Sequence, residues 1–83
     1  MTEANLFPLS DAEVGSRFLI KKIDIDGMMR RRLLDLGFVP GGEIIVLQKS
    51  PLGDPVAYRV SQTTIALRKE ESSKIWGTIL YGF

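Results

Sequence analysis

The chain has 83 residues, 45% hydrophobic and 25% charged, the size and usage of one small globular domain, which excludes a disordered or fibrous chain. Lys and Arg number 11 against 10 Asp and Glu, a net charge of +1, so no overall field draws the molecule to nucleic acid or anionic lipid, and a charged partner has to be met locally. With neither His nor Cys, it lacks the commonest general base, the thiolate nucleophile, disulfides and the usual transition-metal ligands, and triad-type or zinc hydrolysis is excluded.

Residues 1–8 read as an N-terminal extension. They carry no basic segment leading into an apolar stretch, so no secretory signal is expected. The longest uncharged apolar-rich stretch, Ile75–Phe83, falls far short of the roughly 20 residues of a spanning helix; the expectation is a cytoplasmic protein without membrane insertion. Ser10 and Glu13 have the spacing of a capping box and predict one helical turn, ended by Gly15. Arg17–Ile23 (RFLIKKI) is rich enough in β-branched and aromatic residues for a first strand. From Gly27 to Leu36 the spacing turns helical, with Met29, Leu33 and Leu36 on one face and Arg31 and Asp35 opposite. Asp26 is placed as its N-cap and Gly37 as its left-handed C-terminal residue. Pro40-Gly41 fits the centre of a type II turn.

Glu43–Lys49 and the alternating Val56–Val60 are the next strands, separated by the turn residues Pro51-Leu52-Gly53-Asp54-Pro55. Thr63–Leu67 is a fourth strand, joined to the third by a tight hairpin at Ser61-Gln62, although neither residue is the Asn or Gly such turns favour. Arg68–Lys74 is polar, with room for one helical turn, and Ile75–Leu80 reads as a last strand. The expected fold is mainly β, about five strands with one or two short inserted helices. Without repeated βαβ units, a small closed barrel is the arrangement that hides the strand edges.

Three stretches in this order, Leu33-Leu34-Asp35-Leu36-Gly37-Phe38-Val39-Pro40-Gly41, then Pro51-Leu52-Gly53-Asp54-Pro55, then Ile65-Ala66-Leu67-Arg68, resemble the FeoA family of bacterial ferrous-iron-uptake proteins. The resemblance runs from Leu9 to Trp76. It implies a single SH3-like β-barrel domain over 1–83 and cytosolic work beside FeoB, a membrane transporter with an N-terminal G-protein domain. The implied role is that of an accessory or regulator that docks on FeoB and affects its assembly or GTPase cycle, with no required cofactor. A general transition-metal association also comes with the family and makes Fe²⁺ a candidate ligand. Ser61-Gln62 stands where many relatives have Gly, Ser72 where Ala is usual, and residues 77–83 run past the family's usual pattern.

Arg30-Arg31-Arg32 is the densest charge in the chain. Such a run is ordinarily a solvated helix face; its functional reading is a docking patch for an acidic surface, since Arg forms bidentate carboxylate contacts and is enriched at binding hot spots. Successive helical residues turn by about 100°, so at most two of the three face one partner. Trp76, Tyr81 and Phe83 are further partner-binding candidates: the uncharged tail is either a last strand with Trp76 and Ile79 packed inward, or an exposed edge that joins a partner or a second copy into a homo-oligomer. For a metal only oxygen ligands are on offer, Asp24 and Asp26 in one loop and Glu70 and Glu71 near the end, and isolated carboxylates do not select Fe²⁺ from Mg²⁺ or Mn²⁺. Besides a weak metal-binding or metal-sensing module, the alternatives are a peptide- or nucleic-acid-binding barrel. Two Tyr and one Trp supply a proline-peptide groove poorly, and the balanced charge speaks against nucleic acid. No enzyme is expected, for want of His, Cys or a Gly-rich phosphate loop.

Overall fold

In the computed structural model, which describes residues 6–80, the elements in chain order are β1 (Phe7–Pro8), a 3₁₀ turn (Leu9–Asp11), β2 (Arg17–Ile23), α1 (Gly27–Leu36), β3 (Glu43–Lys49), β4 (Val56–Val60), β5 (Thr63–Leu67), α2 (Lys69–Ser72) and β6 (Ile75–Leu80). The strands form one antiparallel sheet in the order β1-β6-β2-β3-β4-β5. β2 through β6 have the bounds expected from their alternation. β1 is additional and lies within the segment read as an extension: Phe7 and Pro8 pair with Gly77 and Trp76, and the Phe7 ring meets Phe18 edge-on at 5.6 Å. Two residues, one of them proline, offer no period to read.

Alternation turns one side of each longer strand inward. Phe18, Ile20 and Ile23 of β2, Ile44 and Val46 of β3, Tyr58 and Val60 of β4, Leu67 of β5 and Ile75 of β6 meet Leu9, Leu33 and Phe38 in a single buried cluster. The step from Ile20 to Ile23 is three residues because the pairing with β6 shifts between Ile20 and Lys22; the bulge lets Lys21 and Lys22 both face solvent and bends the strand. A second shift between Val46 and Gln48 bends β3 in the same way. The sheet therefore curls round its core. It is not a fully hydrogen-bonded ring, since β1 and β5 remain its two edges.

The turns follow the chemistry of their residues, with two corrections. At Pro40-Gly41, Gly42 N–H donates to Val39 C=O at 2.9 Å and Gly41 has φ 89°, as a type II turn requires. Ser61 and Gln62 both take positive φ, 51° and 65°; a two-residue hairpin needs that pair of conformations to match the strand twist, and here the strands impose it on non-glycine residues. The Ser10–Glu13 capping box does not form: the turn there is 3₁₀, follows Pro8 and has no side-chain cap. Asp26 stands at the N-cap position of α1 in extended conformation, but its side chain caps nothing.

Candidate functional site

α1 carries the arginine run, and its ends determine how that run is displayed. At the C-terminus Gly37 takes φ 109°, so that its N–H reaches Leu34 C=O at 3.0 Å while Phe38 N–H reaches Leu33 C=O at 2.9 Å, the paired closure that a left-handed residue permits. Leu33 is buried, and Met29, Leu34 and Leu36 pack against the core. With that face turned in, the three arginines point in three directions, as the helical rotation demands.

Arg30 turns toward the sheet, and its Nη1 donates to the Ile23 carbonyl at 2.9 Å, at the end of β2. Arg32 reaches across to α2, where its Nη1 lies 2.6 Å from Oε2 of Glu71. Arg31 projects outward with its side chain 81% exposed, and its Nε stands 3.8 Å from Asp35 Oδ2 one turn along, a distance and exposure at which the pair contributes little. Met28, one turn before Arg31, is 88% exposed. The free face of α1 thus centres on Arg31 beside Met28, with Arg32, its side chain 55% exposed, tied at its tip to Glu71.

The carboxylate candidates are dispersed. Asp24 and Asp26 are exposed in the link between β2 and α1, where Asp24 N–H donates to Lys74 C=O at 2.7 Å. Glu70 faces solvent, whereas Glu71 is 7% exposed and fully engaged: Oε2 takes Arg32, and Oε1 accepts the backbone N–H of Arg68 at 3.0 Å. Among the described residues no three His, Cys, Asp or Glu side chains converge in a way that would hold a metal ion. Trp76 is half-buried on the face of β6 opposite Ile75 and Gly77; in a period of two, Trp76 and Ile79 cannot both face inward, and it is Ile79 that packs on the core. Tyr81 and Phe83 lie outside the described residues.

Two features escaped the sequence reading. One is the inward role of Glu71, for which a signal existed: an acid three residues after Arg68, ahead of an apolar strand, is capping-box spacing. The other is the N-terminus of α2, where Lys69 N–H donates to Asp54 Oδ1 at 2.9 Å; a cap supplied from 15 positions away leaves no local pattern. Behind that cap Tyr58 is buried, and burial raises its phenol above the usual range; hydrogen bonding with Ser72 opposes the rise, and the charge of Asp54 adds to it. Among the described residues no helix is long and apolar enough to cross a membrane.

Comparison with known proteins gives this architecture its relatives. The family model of the FeoA domain matches residues 7–78. A fusion of Fe(2+) transport protein A with the Fe(2+) transporter FeoB, from Porphyromonas gingivalis, is 40% identical over 67 residues, which is 81% of this chain and 8% of the fusion. The solution structure of iron(II) transport protein A from Clostridium thermocellum superposes with a TM-score of 0.85 at 36% identity, covering 88% of this chain and 45% of that one. This chain therefore spans less than half the length of either of these two relatives. Stenotrophomonas maltophilia FeoA complexed with zinc, described as a prokaryotic SH3 domain protein, is 29% identical with a TM-score of 0.72, and the match covers 87% of each chain. The curled sheet is the SH3-like fold of these proteins, and the chain belongs to the FeoA domain family.

Proposed function

We propose that the protein is a cytoplasmic binding module that docks on the cytosolic part of a FeoB-type ferrous iron transporter and affects its assembly or GTPase cycle. The observation that carries this reading is the fusion relative, in which a FeoA domain and the transporter are one polypeptide; tethering raises the effective concentration of two parts that act together. The surface best suited to docking is the outer face of α1, where Arg31 is free to meet a partner carboxylate and Met28 adds apolar area beside it. Arg30 and Arg32 hold the helix to β2 and α2 and set the direction in which Arg31 points. No cofactor is needed for such a role, and Fe²⁺ is the transporter's cargo.

The test is binding of the purified protein to the isolated G-protein domain of its transporter, with and without a GTP analogue, alongside the GTPase rate. Arg31→Glu is expected to weaken binding about tenfold or more, the scale of one lost charge-assisted contact, while the circular dichroism spectrum stays unchanged. Absence of binding in every nucleotide state would move the docking site to the membrane portion of the transporter.

A further inference from the structure

A second site contains no residue of the arginine helix. Between the end of β3, the loop before β4 and α2 is a cleft of about 130 Å³. Its floor is formed by the side chains of Tyr58 and Ser72, each at most 2% exposed. Ser10, Lys49, Lys69 and Asp54 are also in the lining.

The chemistry of this lining is that of a donor set. Tyr58 and Ser72 bring two hydroxyls with two hydrogens to this lining, and a bond between them uses only one. The other is left for whatever enters the cleft, and a buried donor without an acceptor is costly. Ser10 adds a third hydroxyl, and Lys49 and Lys69 add two ammonium groups against the one carboxylate of Asp54. That carboxylate is engaged by the backbone N–H of Lys69. Burial keeps the Tyr58 phenol protonated at neutral pH, so the floor presents a donor and not a negative charge. The volume admits a group the size of phosphate or carboxylate.

We infer that the cleft between Tyr58, Ser72, Lys49 and Lys69 is an oxyanion-binding site, for a carboxylate or a phosphate group. Oxygens of such a group accept from the two hydroxyls on the floor and pair with the ammonium groups of the two lysines, charge-assisted bonds of the strong kind. The site is independent of the docking reading, because it uses neither α1 nor the transporter.

The test titrates the ¹⁵N-labelled protein by NMR with inorganic phosphate in one series and acetate in another, at ionic strength held constant with sodium chloride. The expected result is a saturable shift of the Ser10, Lys69 and Ser72 amides with a Kd in the millimolar range or below, weakened about tenfold or more in Lys49→Ala/Lys69→Ala and in Tyr58→Phe. Both variants are first checked for an intact spectrum, and the lysine pair, being on the surface, is the one expected to fold without penalty. Saturation by phosphate alone identifies a phosphate ligand, and saturation by acetate identifies a carboxylate. Shifts that do not saturate in either series, or that persist undiminished in the lysine variant, would overturn the proposal.

Discussion

Gly77 shows how a single residue fixes the fold. It sits in β6 opposite Ile20 of β2, and a Cβ placed on it would lie 1.9 Å from the Leu19 carbonyl oxygen and 2.8 Å from the Phe18 ring. One obstacle is backbone and the other is a fully buried aromatic, so neither yields as a flexible side chain would. Gly41 is glycine for a different reason: its φ is 89° but nothing lies within 4 Å of the point where a side chain would begin, so only the conformational cost applies. Gly41→Ala is therefore expected to cost about 1–2 kcal/mol, the left-handed penalty. Gly77→Ala should cost about 3 kcal/mol or more, the upper end of overpacking. Urea unfolding of both variants checks the ordering, and equal losses would mean that β2 and β6 separate easily at this point. The same comparison shows why one position was readable and the other was not. Gly41 follows a proline in turn chemistry, whereas the constraint on Gly77 comes from a strand more than 50 positions away and leaves no trace in its neighbours.

At the scale of elements, α1 and α2 are too short to be stable by propensity and are held by contacts made at their ends. Glu71 is the common point, accepting from Arg32 of α1 and from the Arg68 N–H at the start of α2. With Glu71 buried, its loss leaves Arg32 without its partner and a backbone donor without its acceptor. Glu71→Ala is expected to destabilise by about 1.5–3 kcal/mol, the range for hydrogen bonds to a charged group. Glu71→Gln, which retains the acceptor but not the charge, should cost less. Thermal or urea denaturation reads both, and a neutral Glu71→Ala would show that the pair is only a solvent-screened contact. The strands were legible because each has its own two-residue period, and α1 because Met29, Leu33 and Leu36 recur at helical spacing and Gly37 closes it. What joins the elements was not. Arg30, Arg31 and Arg32 are chemically identical in the sequence, and only the positions of Ile23 and Glu71 in space decide that two are tied to the protein and one projects into solvent.

Across the whole molecule, the core and the cleft meet at one side chain. Tyr58 packs its ring edge-on against Phe38, with centroids 6.5 Å apart, and lines the cleft together with Ser72. Ionising it would place a phenolate where burial disfavours charge and Asp54 repels it, and the bond with Ser72 offsets only part of this, so its folded-state pKa lies above the ordinary 10.0. The folded protein then holds this proton more tightly than the unfolded chain. Linkage makes that contribution complete below the unfolded pKa and progressively lost as pH rises from there through the folded value. Urea midpoints taken from about pH 8 to about pH 11 should fall more steeply for the native protein than for Tyr58→Phe. Lysines titrate in the same window, but they are common to both proteins and cancel in the difference. The lost hydroxyl shifts the variant by an amount that does not vary with pH at the neutral end, so the informative quantity is the slope. Parallel curves would mean that the phenol reaches solvent through the cleft as freely as in the unfolded chain, and that Tyr58 contributes its ring to the core without committing its proton to the fold.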